Sequence, residues 1–281
     1  MTLERVSNSV YADTSGTNGG NYGAIVLSNE IVFVDSGMFH HVTRVEVDRI
    51  KEEHDLDVTK MILTHHHSDH ILGAQGLGNV SIISSRKTHD LHIDDVERKD
   101  YLPNLRQRAE DGKYERPDFW KAVQTLSVKI PDIIFEEKIF VGRNRELVVL
   151  KFDGHTAGSS IVEFNEEKAV FMGDLIFNQS FPYAGDSSCD PDKWITALER
   201  IHDKKYSVII PGHGQICNND VISEYIGFLS NLRDLIKEAI DEGVGSDEFV
   251  VDGRMPEFYI TERSKPRVQS TAKTWFEFYK S

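Results

Sequence analysis

The chain has few cysteines, few basic residues relative to acidic ones, and no long apolar run. Its two cysteines, Cys189 and Cys217, form no C-x-x-C pair. That excludes a disulfide framework and fits ordinary thiols of a reducing compartment. No apolar run approaches the roughly 20 residues that span a bilayer, so no membrane partner is expected. Met1-Thr2-Leu3-Glu4-Arg5-Val6 shows no basic stretch leading into an apolar one, and a cytoplasmic location is expected. The 32 basic residues face 46 acidic ones, a formal net charge of −14. Such a surface repels phosphate backbones, so a nucleic-acid partner is not expected. Internal repeats and low-complexity linkers are absent too. At 281 residues the chain can hold one large core, or one core with a small subdomain.

Against these absences stands one dense cluster, Thr64-His65-His66-His67-Ser68-Asp69-His70, directly after the apolar run Met61-Ile62-Leu63. Neutral imidazole and carboxylate are the usual ligands of Zn²⁺ and similar ions. Crowding four imidazoles and a carboxylate at the end of a buried strand has little structural use. The cluster therefore points to a metal site. In extended chain His65 and His67 project to one side, and His66 points the other way, as a packing or outer residue. Parity would place Asp69 with His65; for Asp69 and His70 to face elsewhere the backbone must turn, with a helix expected from Ile71-Leu72-Gly73.

The surrounding pattern alternates strands with helices. Residues 10–36 read as a β-meander, with strands at Tyr22–Leu27 and Ile31–Val34. Thr43 and Glu46 have capping-box spacing and predict a helix start, with Val42, Val45 and Ile50 on its buried side. Strands are predicted at Val58–Leu63, Val80–Ile83, Ile133–Val141, Glu146–Phe152, Ser160–Phe164, Ala169–Met172 and Ser207–Ile210. Between the second and third of these lies a charged, helix-rich insert, about 86–124, carrying His89, His92, Tyr101, Phe119 and Trp120. Asp190-Pro191 is an N-cap with proline at the first helical position, opening a helix with Trp194, Leu198 and Ile201 on one face. The last 60 or so residues are helical, with Ile222, Ile226, Leu229, Leu232, Ile236 and Ile240 at helical spacing. The alternation favours an α/β architecture of two sheets covered outside by helices.

Three downstream sites repeat one design: Gly154-His155, Gly173-Asp174 and Gly212-His213-Gly214 each place a candidate ligand just past a predicted strand. H-x-H-x-D-H, then single His, Asp and His in order, resembles the metallo-β-lactamase superfamily. Val34-Asp35-Ser36-Gly37 matches that family's V-D-x-G signature, and the likeness runs from about residue 20 to 215. The resemblance implies an αββα four-layer sandwich of two mixed sheets. It further implies a catalytic region at 1–215, with a helical extension at 216–281 packed on it. It implies that His65, His67 and His155 hold one metal ion, that Asp69, His70 and His213 hold a second, and that Asp174 bridges them. Zn²⁺ is the expected metal, with Fe or Mn also compatible with such ligands.

Paired cations lower the pKa of a shared water toward about 7 and polarise the bond under attack. The expected activity is thus a dinuclear metal-dependent hydrolase, cleaving an ester-like bond (lactone, thioester or β-lactam) of a small molecule with a metal-bridging hydroxide. Asp69 would also orient the nucleophile and deliver a proton to the leaving group. Glyoxalase II-like and lactonase-like branches both fit. Pro211-Gly212-His213-Gly214 departs from the former's C-G-H-E, and Arg263, Lys265 and Arg267 match none of its motifs; Tyr183 would serve the latter. A mono-iron persulfide dioxygenase-like oxidoreductase and a phosphodiesterase are the alternatives. Asp35 is expected to order the motif loop. Phe177, Phe181 and Tyr183 are candidate pocket walls, and the insert a candidate lid. His40, His41, His54, His89, His92 and His202 are expected at the surface or partly buried. The stripe Trp275, Phe276, Phe278, Tyr279 is core or, in a homodimer, interface.

Overall fold

Alternation along Ile31-Val32-Phe33-Val34 shows how the strands are used: Ile31 and Phe33 pack on one side, Val32 and Val34 on the other, and all four are buried. Strands covered on both faces read as continuous apolar runs, and central strands of both sheets, such as Ile31–Val34 and Ala169–Phe177, are of this kind. The structure, a computed structural model, describes residues 3–281. The first sheet contains β1 (Glu4–Arg5), β2 (Val10–Asp13), β3 (Tyr22–Val26), β4 (Ile31–Val34), β5 (Val58–Ile62), β6 (Ser81–Ser85) and β7 (Ile133–Phe135), side by side in chain order. Its first four strands pair antiparallel and the rest parallel. The second holds β8 (Lys138–Val141), β9 (Leu147–Lys151), β10 (Ser160–Phe164), β11 (Ala169–Phe177) and β12 (Val208–His213), antiparallel except for the β11–β12 pair.

The two sheets face each other through Val10, Ile25, Val34, Ile62 and Ile83 on one side and Leu147, Val149, Val162, Phe171 and Ile210 on the other. Outside the first sheet lie α1 (His40–His54) and the segment Ser68–Leu77, with Val47, Ile50, Ile71 and Leu77 against Phe33, Met61 and Leu63. Outside the second lie α6 (Pro191–His202), α7 (Asn219–Asp241), α8 (Ser246–Val251) and α9 (Lys265–Lys280). Trp194, Leu198, Ile222, Leu229, Trp275 and Phe276 there share one core with Val170, Met172 and Ile209. The order helix, sheet, sheet, helix is the expected sandwich of two mixed sheets.

The insert folds as α3 (Arg86–Glu97), α4 (Tyr101–Asp111) and α5 (Pro117–Gln124). It is pinned beside the Ser68–Leu77 segment: Gln75 donates to Thr125 O at 3.0 Å and accepts from Ser127 N at 2.6 Å, and Tyr101, Leu105 and Phe119 pack with Leu72. Asp190 caps α6 by accepting from Lys193 N, as its spacing predicts.

Several expectations fail in instructive ways. Helix α1 starts at His40, so Thr43 and Glu46 lie inside it rather than at its cap. Both are buried because they make tertiary bonds: Thr43 Oγ1 donates to Ser36 O at 2.7 Å, and Glu46 accepts from Leu3 N at 3.1 Å. The buried face rotates accordingly, leaving Val45 63% exposed and Val47 inside. The stretch Ile133–Val141 is two strands in different sheets, because Glu136-Glu137 carries the chain across between layers. Asp174 and His213 lie within β11 and β12, where the register of the pair shifts, rather than past the strand ends. Trp275 and Phe276 are buried core, not interface.

Candidate metal centre

At the end of β5 the chain runs extended through His65 and His67, then turns at once into the short helix α2 (Ser68–Ile71). The turn comes three residues earlier than Ile71, and it swings Asp69 and His70 away from the line of His65 and His67. Asp35 fixes this loop. Its carboxylate accepts from Thr64 N at 2.8 Å, Thr64 Oγ1 at 2.7 Å and His70 Nδ1 at 2.9 Å. Thr64 Oγ1 in turn lies 3.1 Å from His65 Nδ1. With both Nδ1 atoms engaged, the Nε2 atoms of His65 and His70 face inward, buried and without a hydrogen-bond partner. Asp35 therefore has the ordering role its position suggests.

The second sheet supplies the rest. His155 follows β9, held by Asp190 N donating to Gly154 O at 2.8 Å, with its ring against Trp194 and Phe177. Asp174 and His213 stand on adjacent strands, and a Cβ at Gly212 would sit 1.9 Å from Asp174 Oδ1. Only glycine leaves that carboxylate its place. The ring of Phe177 stacks on His213 at 5.0 Å.

Asp174 is the centre of the cluster. Its Oδ2 lies 3.7 Å from His65 Nε2, 3.5 Å from His155 Nε2 and 3.4 Å from His213 Nε2, while Oδ1 lies 3.1 Å from His70 Nε2. Asp69 Oδ2 is 3.3 Å from His213 Nε2. Two groups of donor atoms gather closely enough to hold an ion each: His65, His67, His155 and Asp174, and beside them Asp69, His70 and His213.

The electrostatics favour cations. Burial opposes charge on Asp174 and Asp69, yet the surrounding imidazoles outweigh it and hold both carboxylates well below their usual range. Burial likewise opposes protonation of His213, but Asp174 and Asp69 raise it to about 9, and Asp174, Asp69 and Asp35 raise His70 as well. His65 and His155 are driven down by burial, His155 to about 3. Neutral donors on one side and carboxylates demanding positive charge on the other are what divalent ions need. The residues present fit two such ions.

A third group, His66, His67 and Asp186, is also compact. Asp186 is already engaged: Oδ2 lies 3.0 Å from His67 Nε2 and 3.3 Å from His66 Nε2, and Oδ1 accepts from Ser188 N at 2.8 Å and Ser188 Oγ at 2.5 Å. A carboxylate so occupied orients His67 rather than binding an ion of its own.

A cavity of about 400 Å³ opens on the centre, lined by Asp69, Asp174 and His213 at its base and by Met38, Leu105 and Phe119 among its walls.

A profile described as the metallo-beta-lactamase superfamily matches residues 15–213. The chain belongs to the metallo-β-lactamase superfamily. Among relatives, the acyl-coenzyme A thioesterase MBLAC2 of Gallus gallus is 26% identical over 162 residues, 54% of this chain and 55% of that protein. The match thus spans about half of that relative's length. A metallo-β-lactamase from Pontibacter korlensis superposes with a TM-score of 0.61 at 19% identity, over 82% of this chain and 98% of that one. The inverting sec-alkylsulfatase Pisa1 from Pseudomonas sp. gives 0.73 at 14% identity, over 99% of this chain and 50% of that one. These likenesses establish the superfamily's fold here.

The seven residues singled out by the superfamily pattern all converge. Asp186 was missed, since nothing in Ala184-Gly185-Asp186-Ser187-Ser188 marks a partner for a histidine more than a hundred positions away. Phe177 and Tyr183 do line the cavity, Tyr183 with its ring 5.8 Å from that of His67, whereas Phe181 is buried against Phe228. From the insert, Phe119 reaches the cavity together with Leu105 and Arg108, which sequence reasoning passed over. Tyr101 instead packs inside the insert, and Trp120 turns outward to donate to Glu110 at 2.9 Å. His92 is fully buried rather than at the surface, its Nε2 2.9 Å from Lys129 O. Burial raises both thiols, Cys217 to about 12, so neither is a nucleophile at neutral pH. No helix among the described residues is long and apolar enough to cross a membrane.

Proposed function

We propose that the chain is a dinuclear metal-dependent hydrolase of small molecules with an ester-like bond, and that Zn²⁺ is its metal. His65, His67 and His155 would hold one ion, and Asp69, His70 and His213 the other, with Asp174 shared. The observation that carries this reading is the position of Asp174, whose two oxygens lie within 3.7 Å of imidazole nitrogens from both groups. The ions, when bound, acidify water and polarise the bond under attack.

The protein's own groups do the rest. Asp69 is the ligand candidate most open to the cavity, with its side chain 26% exposed. It takes one proton from the attacking water and passes that proton to the departing group. Burial and the nearby Asp186 keep the Tyr183 phenol protonated, so its hydroxyl can donate to a substrate oxygen. Met38, Leu105 and Phe119 exclude water from the bond being broken. Among ester-like bonds the relationship to an acyl-coenzyme A thioesterase favours thioesters.

Elemental analysis of the purified protein, followed by a panel of thioesters, lactones, a β-lactam and a phosphodiester, tests the proposal. Two equivalents of zinc and turnover of a thioester or lactone, abolished by chelator and by His67→Ala, are expected. A single iron with oxygen-dependent chemistry, or turnover surviving both treatments, overturns it.

A further inference from the structure

The cavity on the metal centre sets apolar side chains (Met38, Leu105, Phe119) beside polar ones, among them two arginines, Arg108 from α4 and Arg267 from α9. Arg267 is shared with a neighbouring hollow of about 290 Å³ lined also by Arg263, Gln179, Ser180 and Thr261. None of these three guanidinium groups has a carboxylate within 4.0 Å among the described residues, although acidic side chains outnumber basic ones in the chain. Lys265, two positions before Arg267 on the same helix, is paired instead, with Glu262 at 2.8 Å. Guanidinium left free beside a reaction centre is a ready receptor for carboxylate, sulfate or phosphate, which it grips with paired N–H donors. Arg267 is half-buried, so its charge is less screened than that of a surface arginine.

We propose that Arg267, with Arg108 and Arg263 beside it, binds an anionic group of the substrate. This rests on the hydrolytic reading above and narrows it. The substrate is an anionic amphiphile whose apolar arm lies on Met38, Leu105 and Phe119, and whose charge lies toward α9 and the second hollow.

Matched thioesters test this on the zinc-loaded enzyme. Octanoyl-coenzyme A, octanoyl-thioglycolate and octanoyl-N-acetylcysteamine share the acyl group and the bond cleaved; they carry phosphates, a carboxylate and no charge. At least one anionic thioester should be preferred over the neutral one about tenfold or more in kcat/KM, and which one it is separates phosphate from carboxylate recognition. In Arg267→Ala that preference should fall about 10- to 100-fold, the range for losing a hydrogen bond to a charged group. The loss should lie mainly in KM, added salt should erode the preference, and Arg267→Lys should restore part of it. Equal handling of all three thioesters, or a preference unchanged in Arg267→Ala, overturns the proposal.

Binding of the apolar arylsulfonate 8-anilinonaphthalene-1-sulfonate gives a readout independent of turnover. It should weaken about tenfold or more in the Arg108→Ala, Arg267→Ala double variant, and equal binding overturns the proposal. If no thioester is hydrolysed, the hydrolytic reading is decided by the lactones of the wider panel, and the arylsulfonate titration decides the arginines separately.

Discussion

Asp186 Oδ2 lies 3.0 Å from Nε2 of His67, the ring nitrogen turned away from His155. That contact fixes which nitrogen of His67 faces the cluster and adds negative charge behind it. Carboxylates placed behind a metal-binding imidazole typically contribute 10- to 100-fold to metal affinity. Asp186→Asn should therefore lower affinity for the more weakly held ion or ions by about that factor, measured by competition with a chromophoric chelator. Affinity equal to that of the unmodified protein would show that the contact is incidental.

The protonation of His213 predicts opposite responses to pH in stripped and loaded protein. Its folded pKa, about 9, lies above the roughly 6.5 of an unfolded histidine. In chelator-stripped protein this group's contribution to stability is fully present below about pH 6.5 and is lost as pH rises through about 9. A metal ion must displace that proton, so binding tightens over the same interval. Calorimetric melting temperatures at pH 6.5 and 9 should thus diverge, falling in stripped protein and holding in zinc-loaded protein. Parallel curves would contradict the assignment.

A methyl group at position 20 should strike the centre without unfolding the chain. A Cβ on Gly20 would lie 2.4 Å from His70 Nε2, in the space this nitrogen faces. Gly20→Ala should keep a native circular dichroism spectrum and lose about one equivalent of bound zinc. Full stoichiometry would place His70 outside the metal set.

The C-terminal helices should not be separable from the rest. Trp275 is fully buried in a core shared with Trp194, Leu198 and Met172. Trp275→Ala should cost about 3–5 kcal/mol of stability by the cavity it leaves, read from denaturant midpoints. We further expect a chain ending at residue 215 to be insoluble; a soluble, metal-binding fragment would show that 216–281 is an independent appendage.

How far the sequence foretold this depended on the range of each interaction. The strand Ser160–Phe164, the cap at Asp190 and the cluster from His65 to His70 are written in neighbouring residues, so spacing alone revealed them. Thr43 and Glu46 misled because one local pattern served two uses, and their partners Ser36 and Leu3 appear only when the chain folds back. Asp186 behind His67, and Arg108 beside the cavity, depend wholly on distant contacts and carry no local mark. The split of Ile133–Val141 is of the same kind: an apolar strand reads alike whichever sheet receives it.

Those parts of the cavity wall built by α4, α5 and α9 come from segments that contribute none of the seven clustered side chains. Exchanges at Leu105, Arg108, Phe119 or Arg267 should therefore reshape the cavity mouth while leaving the seven clustered side chains in place.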